Sequence, residues 1–249
     1  LCTDKTGTLT QDHIILEHHV DATGKRDESV LALAWLNSHH QSGVRNLMDQ
    51  AVVQFSTQDP KFKVPFAYRK VDELPFDFVR RRLTVVVKDK RGDHLLVCKG
   101  AVEEMLAICT HVMEGTASVA LDPLRRQQLL ELASGYNEDG FRVLLVATRE
   151  IPKAQSQKQY TTGDERDLVI RGLLTFLDPP KETAGPAIAA LQAIGVAVKV
   201  LTGDNATVTG KICRQVGLEP GTPLLGPQIE TMDDAALQLE VEQRTVFAK

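Results

Sequence analysis

The chain has 249 residues, 43% of them hydrophobic and 25% charged, with a formal net charge of −4. That length allows one large domain or two modest ones, and the composition is that of a globular protein rather than a disordered or fibrous one. Lys and Arg are mixed among Asp and Glu, which argues against a nucleic-acid partner, and no apolar run approaches the length that crosses a bilayer.

Leu1-Cys2-Thr3-Asp4 reads as the end of a strand already in progress, so the chain is expected to be a piece of a longer protein, and no signal sequence opens it. Helices are expected over 30–38 and 46–55. The runs 82–88 and 94–98 are β-rich, and the charged turn Asp89-Lys90-Arg91-Gly92-Asp93 between them predicts an antiparallel hairpin. A helix over 101–109 follows, then an amphipathic helix over 124–137 ended by Asp139-Gly140, then strands over 141–148 and 168–176. Beyond these the pattern alternates: helix 182–194, buried strand 196–201, helices 205–216 and 235–243, and the start of a strand at 246–248. Such alternation implies a parallel sheet with crossover helices, whereas the middle of the chain carries antiparallel strands. The simplest organisation is an α/β chain with one domain inserted in another. Residues 1–20 and 170–249 would build a partial, Rossmann-like parallel-sheet domain, and 21–169 a separate α+β domain. Asp178-Pro179-Pro180-Lys181 is a stiff, hinge-like segment at the return crossing.

Cys2, Cys98, Cys109 and Cys213 form no CxxC pair and read as reduced, mostly buried thiols. His18-His19 and His39-His40 lack a second pair at ligand spacing and read as surface histidines. Thr209-Gly210-Lys211 suggests a phosphate loop, but Ile212 follows where Ser or Thr is needed and the spacing to Gly203 is too long.

Asp4-Lys5-Thr6-Gly7-Thr8-Leu9-Thr10 is the most informative segment. An Asp at the C-terminal end of a parallel strand sits where open sheets bind ligands. Gly7 permits a tight turn, the threonines offer groups to a phosphate or metal, and Lys5 adds a positive charge. A carboxylate nucleophile forms an acyl phosphate, and charge on the transferring group is neutralised by Mg²⁺ and cations. Two positions beyond Asp4, where a phosphatase gains from a second carboxylate as general acid, stands Thr6. An acyl phosphate on Asp4 should therefore persist.

The string Asp4–Thr10 resembles the phosphorylation motif of the P-type ATPases, within the haloacid dehalogenase superfamily. Three further motifs occur in family order. Lys99-Gly100-Ala101 resembles the KGA nucleotide motif, Asp178-Pro179-Pro180-Lys181 the DPP[KR] hinge, and Thr202-Gly203-Asp204-Asn205 the TGD motif. The resemblance implies ATP and Mg²⁺ as cofactors, with Asp4 and Thr6 at the metal and Asp4, Lys5, Thr6, Thr202, Gly203 and Asp204 as catalytic residues. It implies that Asp178 joins the phosphate site, while Pro179 and Pro180 stiffen the crossing. In the inserted nucleotide-binding domain it implies Phe76 against adenine, with Asp49, Arg81, Lys99, Gly100 and Arg142 around the nucleotide. Strand alternation would put Arg81 on the face opposite Arg80 and Arg82. For Phe78 a core position and a site position remain open, and Phe76 itself could be a core residue.

Leu1-Cys2-Thr3, Trp35-Leu36-Asn37-Ser38 and Pro75-Phe76-Asp77-Phe78 with Arg80-Arg81-Arg82 look most like bacterial magnesium-transporting P-type ATPases. The partners implied are ATP, a transported cation, and the membrane and actuator domains of the same protein, at the cytoplasmic face of the membrane. Alternatives are a calcium or other cation pump, a soluble phosphatase of the same superfamily, or a non-catalytic nucleotide-binding module. Thr6 and the large insert argue against the phosphatase, and the intact phosphorylation string against the module. The family's GDGxND loop and a downstream Lys do not occur before Lys249, so this chain by itself is expected to hydrolyse ATP negligibly.

Overall fold

The computed structural model describes residues 1–11, 13–42, 46–60, 62–65 and 67–248. The strands are β1 (Cys2–Asp4), β2 (Ile15–Val20), β3 (Arg69–Asp77), β4 (Arg82–Lys88), β5 (His94–Gly100), β6 (Cys109–Glu114), β7 (Ala117–Ala120), β8 (Arg142–Ile151), β9 (Leu168–Leu177), β10 (Lys199–Leu201), β11 (Leu224–Leu225) and β12 (Val246–Ala248). The helices are α1 (Glu28–His40), α2 (Leu47–Gln58), α3 (Val102–Leu106), α4 (Pro123–Glu138), α5 (Ala184–Ala193), α6 (Ala206–Gln215), α7 (Gly226–Ile229) and α8 (Asp234–Gln243). They form a mixed α/β architecture in two compact units. None of the described helices is long and apolar enough to cross a membrane.

The first unit comprises Leu1–Ile14, Gly135–Arg142 and Leu177–Lys249. Among the described residues its strands make a four-stranded sheet in the order β1-β10-β12-β11, parallel at every pairing. Parallel neighbours need crossover connections, and α6, α7 and α8 lie in those connections. The core gathers Leu9, Ile188 of α5, Ile212 and Cys213 of α6, and Val200 and Val246 of the central strands. The strand expected over 196–201 pairs only through Lys199–Leu201, and Leu201 is exposed, so the apolar run 196–198 mostly precedes the ladder.

The second unit comprises Ile15–Ser134 and Val143–Phe176. Its sheet runs β3-β4-β5-β8-β9-β6-β7, with β2 on β9, and β3, β4, β5 and β8 pair antiparallel in turn. Val85–Val87 of β4, Leu96–Cys98 of β5 and Leu145–Ala147 of β8 are buried without alternation, because these central strands are covered on both faces. Asp27 caps α1 by accepting from the Ser29 amide at 2.7 Å, and six consecutive residues of α1, from Leu33 to Ser38, are buried.

Several local expectations change. The helix over 101–109 stops at Leu106, because Cys109 onward leaves it to pair with β9 and β7. The strand β3, not anticipated, carries Pro75 at a register shift between Leu74 and Asp77, where a ladder amide is not required. His19 is buried rather than on the surface, with Nδ1 at 3.0 Å from the Asp27 carbonyl. The described cysteines are free, three buried and Cys2 exposed.

Candidate functional site

In the first unit, Asp4 ends β1 opposite Leu201 of β10, and Thr202 follows β10 directly, so the two motif loops leave neighbouring strand ends. Thr6 (φ −75°, ψ 127°) and Gly7 (φ 74°, ψ −8°) have the dihedral angles of a type II turn, whose second central position favours glycine. The Thr10 amide closes the loop on the Lys5 carbonyl at 3.1 Å. The segment Asp178–Lys181 then zips onto the loop: the Gln11 amide donates to the Pro179 carbonyl at 2.8 Å, the Lys181 amide to the Leu9 carbonyl at 2.8 Å, and Lys181 Nζ to the Gly7 carbonyl at 2.5 Å.

The charges behind this loop are shared among four side chains. Lys5, wholly buried, places Nζ 2.7 Å from Asp178 Oδ2 and 2.7 Å from Asp204 Oδ2. Arg142 Nη2 reaches the same two oxygens at 2.9 and 2.7 Å and donates to Thr6 Oγ1 at 3.1 Å. Two cations thus balance two carboxylates, and the other oxygen of Asp178 is buried with no hydrogen-bond partner among the described residues. Asp4 stands apart from this network. It is exposed, Oδ1 accepts from the Lys5 amide at 2.8 Å, and Oδ2 accepts nothing among the described residues. Thr202 and Gly203 are partly and fully exposed, and the Asp204 amide donates to Thr202 Oγ1 at 3.1 Å. Asn205 caps α6 by accepting from the Thr207 amide at 2.7 Å.

Among the described residues no three His, Cys, Asp or Glu side chains converge as a metal cage. Mg²⁺ keeps water and substrate oxygens and needs only one or two protein carboxylates. The free oxygen of Asp4 and the adjacent Thr6 hydroxyl are hard oxygen donors that fit this requirement.

In the second unit, Lys99 and Asp49 meet. Lys99 Nζ forms a buried ion pair with Asp49 Oδ1 and donates to Ser38 Oγ at 2.6 Å, while Ser38 Oγ donates to Asp49 Oδ1 at 2.8 Å. Asp49 is placed by the first turn of α2, where Asn46 accepts from its amide at 2.9 Å and the helix N-terminus favours a carboxylate. Ser38 comes from α1 and Lys99 from β5. The Lys99 charge is therefore already compensated. Gly100 is required by packing: an added Cβ would lie 2.5 Å from Arg82 Cβ and 2.8 Å from the Arg81 carbonyl oxygen. Next to Lys99, burial pushes the Cys98 thiol up to about 12.

The turn between β3 and β4 holds the aromatic candidates outward. Phe76 is 46% and Phe78 82% exposed, with ring centroids 5.3 Å apart and edge-on, so neither is a core residue. The Asp77 carboxylate accepts from the Arg80 and Val79 amides at 2.7 and 2.9 Å, and chiefly the Arg80 amide holds its pKa below the usual carboxylate range. Arg81 lies in this turn with φ 48°, not in a strand, and pairs with Glu104 at 2.7 Å. Arg80 and Arg82 both pair with Glu165, and since Arg80 also lies in the turn, strand alternation does not set how the three arginines are placed. Glu165 lies in no motif and is not singled out from the sequence, and Ser38 enters there only as the end of the Trp35–Ser38 string, with no contact assigned to it. Arg142, expected near the nucleotide phosphates, meets Thr6, Asp178 and Asp204.

A profile described as P-type ATPase, cytoplasmic domain N, matches residues 37–183. The chain is 56% identical over 252 residues to the magnesium-transporting ATPase, P-type 1, of Salmonella typhimurium, and 45% identical over 249 residues to that of Escherichia coli K12. Both alignments cover all of this chain and 28% of the relative, so the chain spans under a third of the length of these proteins. A calcium-transporting ATPase 1 of Lactococcus lactis is 25% identical over 272 residues, with all of the chain and 30% of the relative aligned. With the profile covering more than half of the residues, the chain belongs to the P-type ATPase family.

Proposed function

We propose that the chain is the ATP-binding and phosphorylation portion of a magnesium-transporting P-type ATPase, in which Asp4 takes up the γ-phosphate of ATP. The observation that carries this reading is the Asp4 carboxylate itself: exposed at a strand end, with one oxygen free, beside an internally neutralised set of cations and carboxylates. That oxygen attacks the γ-phosphorus, the bond to the bridging oxygen of ADP breaks, and an aspartyl phosphate and ADP result. Thr202 and Gly203 offer donors to the phosphoryl oxygens. Lys5 and Arg142 hold Asp178 and Asp204 in place, and Arg142 orients the Thr6 hydroxyl. Bound Mg²⁺, held by Asp4 and Thr6, would supply neutralisation of phosphate charge.

In this reading residues 1–20 and 170–249 are the phosphorylation domain, of partial Rossmann-like form, and residues 21–169 the inserted nucleotide-binding domain. Phe76 stacks on adenine, with Asp49, Arg81, Lys99 and Gly100 around the nucleotide. The identity of 56% and 45% to magnesium transporters, against 25% to a calcium transporter, supports magnesium as the cation. The transported cation and the membrane and actuator domains are the partners of the full-length protein, at the cytoplasmic face of the membrane.

Two measurements test this. ATP titrated into the chain is expected to shift amides near Phe76 and Lys99 with modest affinity; shifts confined to Asp4 and Thr202 would overturn the nucleotide assignment. In the full-length protein Asp4→Asn is expected to abolish an acid-stable, hydroxylamine-sensitive phosphate while leaving ATP affinity unchanged. Persistence of that phosphate would sink the role of Asp4.

A further inference from the structure

We propose that Glu165 is a positioning residue for the nucleotide site, acting at a distance through Arg80 and Arg82; this rests on the nucleotide reading above. Glu165 lies between β8 and β9, at least 81 residues in sequence from each partner, and its carboxylate is fully buried. Oε1 accepts from Arg80 Nη1 and Thr84 Oγ1, each at 2.7 Å. Oε2 accepts from Arg80 Nη1 at 2.8 Å and Arg82 Nε at 2.7 Å. The far nitrogen of Arg80, Nη2, then donates to the Pro75 carbonyl at 2.7 Å, one residue before Phe76. The carboxylate is thus tied through one guanidinium to the backbone that carries the exposed ring.

A second link runs the other way. Arg82 opens β4 opposite Gly100 of β5, and the Arg81 carbonyl accepts from the Ala101 amide at 3.0 Å. By fixing Arg82, Glu165 also fixes the strand edge against which Lys99-Gly100-Ala101 is laid. A buried ionic network contributes little net stability compared with apolar packing, and what it can supply is fixed geometry. A site whose stacking ring is held beforehand loses less ordering entropy when the base arrives.

The test measures adenosine, ADP and ATP affinity of the wild-type chain and of Arg80→Lys and Glu165→Gln, with a thermal melt of each. Lys at position 80 keeps the charge beside Glu165 but loses the fork that reaches Pro75. Both variants are expected to bind about tenfold more weakly, as for one lost aromatic contact. The loss should be the same for all three ligands, because the ring platform and not the phosphate is disturbed. Glu165→Gln also makes the site more positive. If Glu165 acted only through its charge, that variant would bind ATP more tightly than wild type and adenosine equally, and this outcome overturns the proposal. Unchanged affinity in folded Arg80→Lys overturns it as well, and decides the question alone if Glu165→Gln does not fold. A wild-type chain that binds none of the three ligands overturns the nucleotide reading and this inference with it.

Discussion

The Lys99–Asp49 pair permits a quantitative prediction. Lys99 is 5% and Asp49 1% exposed, and Ser38 bridges them. At an effective dielectric near 20, two unit charges about 4 Å apart attract by about 4 kcal/mol. Burying each ion costs several kcal/mol, so the intact pair contributes little net stability. Removing one partner is different, because a charge is then left buried and uncompensated, at about 3–5 kcal/mol. Lys99→Met and Asp49→Asn are therefore each expected to lower stability by about 3–5 kcal/mol, which for a unit of this size is roughly 10 °C in Tm. The double variant Asp49→Asn/Lys99→Met is expected to cost under about 2 kcal/mol, leaving a coupling of at least about 4 kcal/mol. Urea titrations of the four proteins close the cycle. Single variants that each cost under about 1 kcal/mol, with no coupling, would show that water reaches the pair, and that the Lys99 charge is free for a ligand without first releasing Asp49.

Two further predictions follow from perturbed titrations. Burial pushes the thiols of Cys98 and Cys109 up to about 12 and that of Cys213 up to about 11, whereas Cys2 is exposed. A disulfide reagent at pH 8 is expected to modify one thiol quickly in the folded chain and four after denaturation, and a second fast thiol would contradict the burial. Burial, aided by the Lys88 charge, lowers the pKa of His94, whose Nδ1 lies 2.7 Å from the Tyr160 hydroxyl. The unfolded chain then binds the proton more readily, so this contribution to stability is complete above the unfolded value near 6.5 and declines as pH falls below it. Tm is expected to drop from pH 7.5 to pH 5.5 by more in wild type than in His94→Gln. An equal drop in both would assign the effect to other groups.

The sequence by itself determined the local structure of the Asp4–Thr10 loop and the order of the motifs. Gly7 is legible because a type II turn admits few other residues at its second central position, and Asn205 because a helix start needs an oxygen to accept its free amides. The helices α1, α2 and α4 and the β4–β5 hairpin are legible for the same kind of reason, since periodicity and turn composition act within a few residues. β3 was not, because its charged first half and Pro75 conceal an edge ladder that only the partner strand β4 stabilises. Only the tertiary structure decided which charges meet. Lys5 with Asp178 and Asp204, Arg142 with the same pair, Lys99 with Asp49, and Glu165 with Arg80 and Arg82 lie 50 to 199 residues apart in all but the Arg142–Asp178 contact. A charged side chain carries no local signal of whether it will be solvated or buried. That depends on whether an opposite charge is brought close enough to offset the loss of water, and chain topology sets this distance.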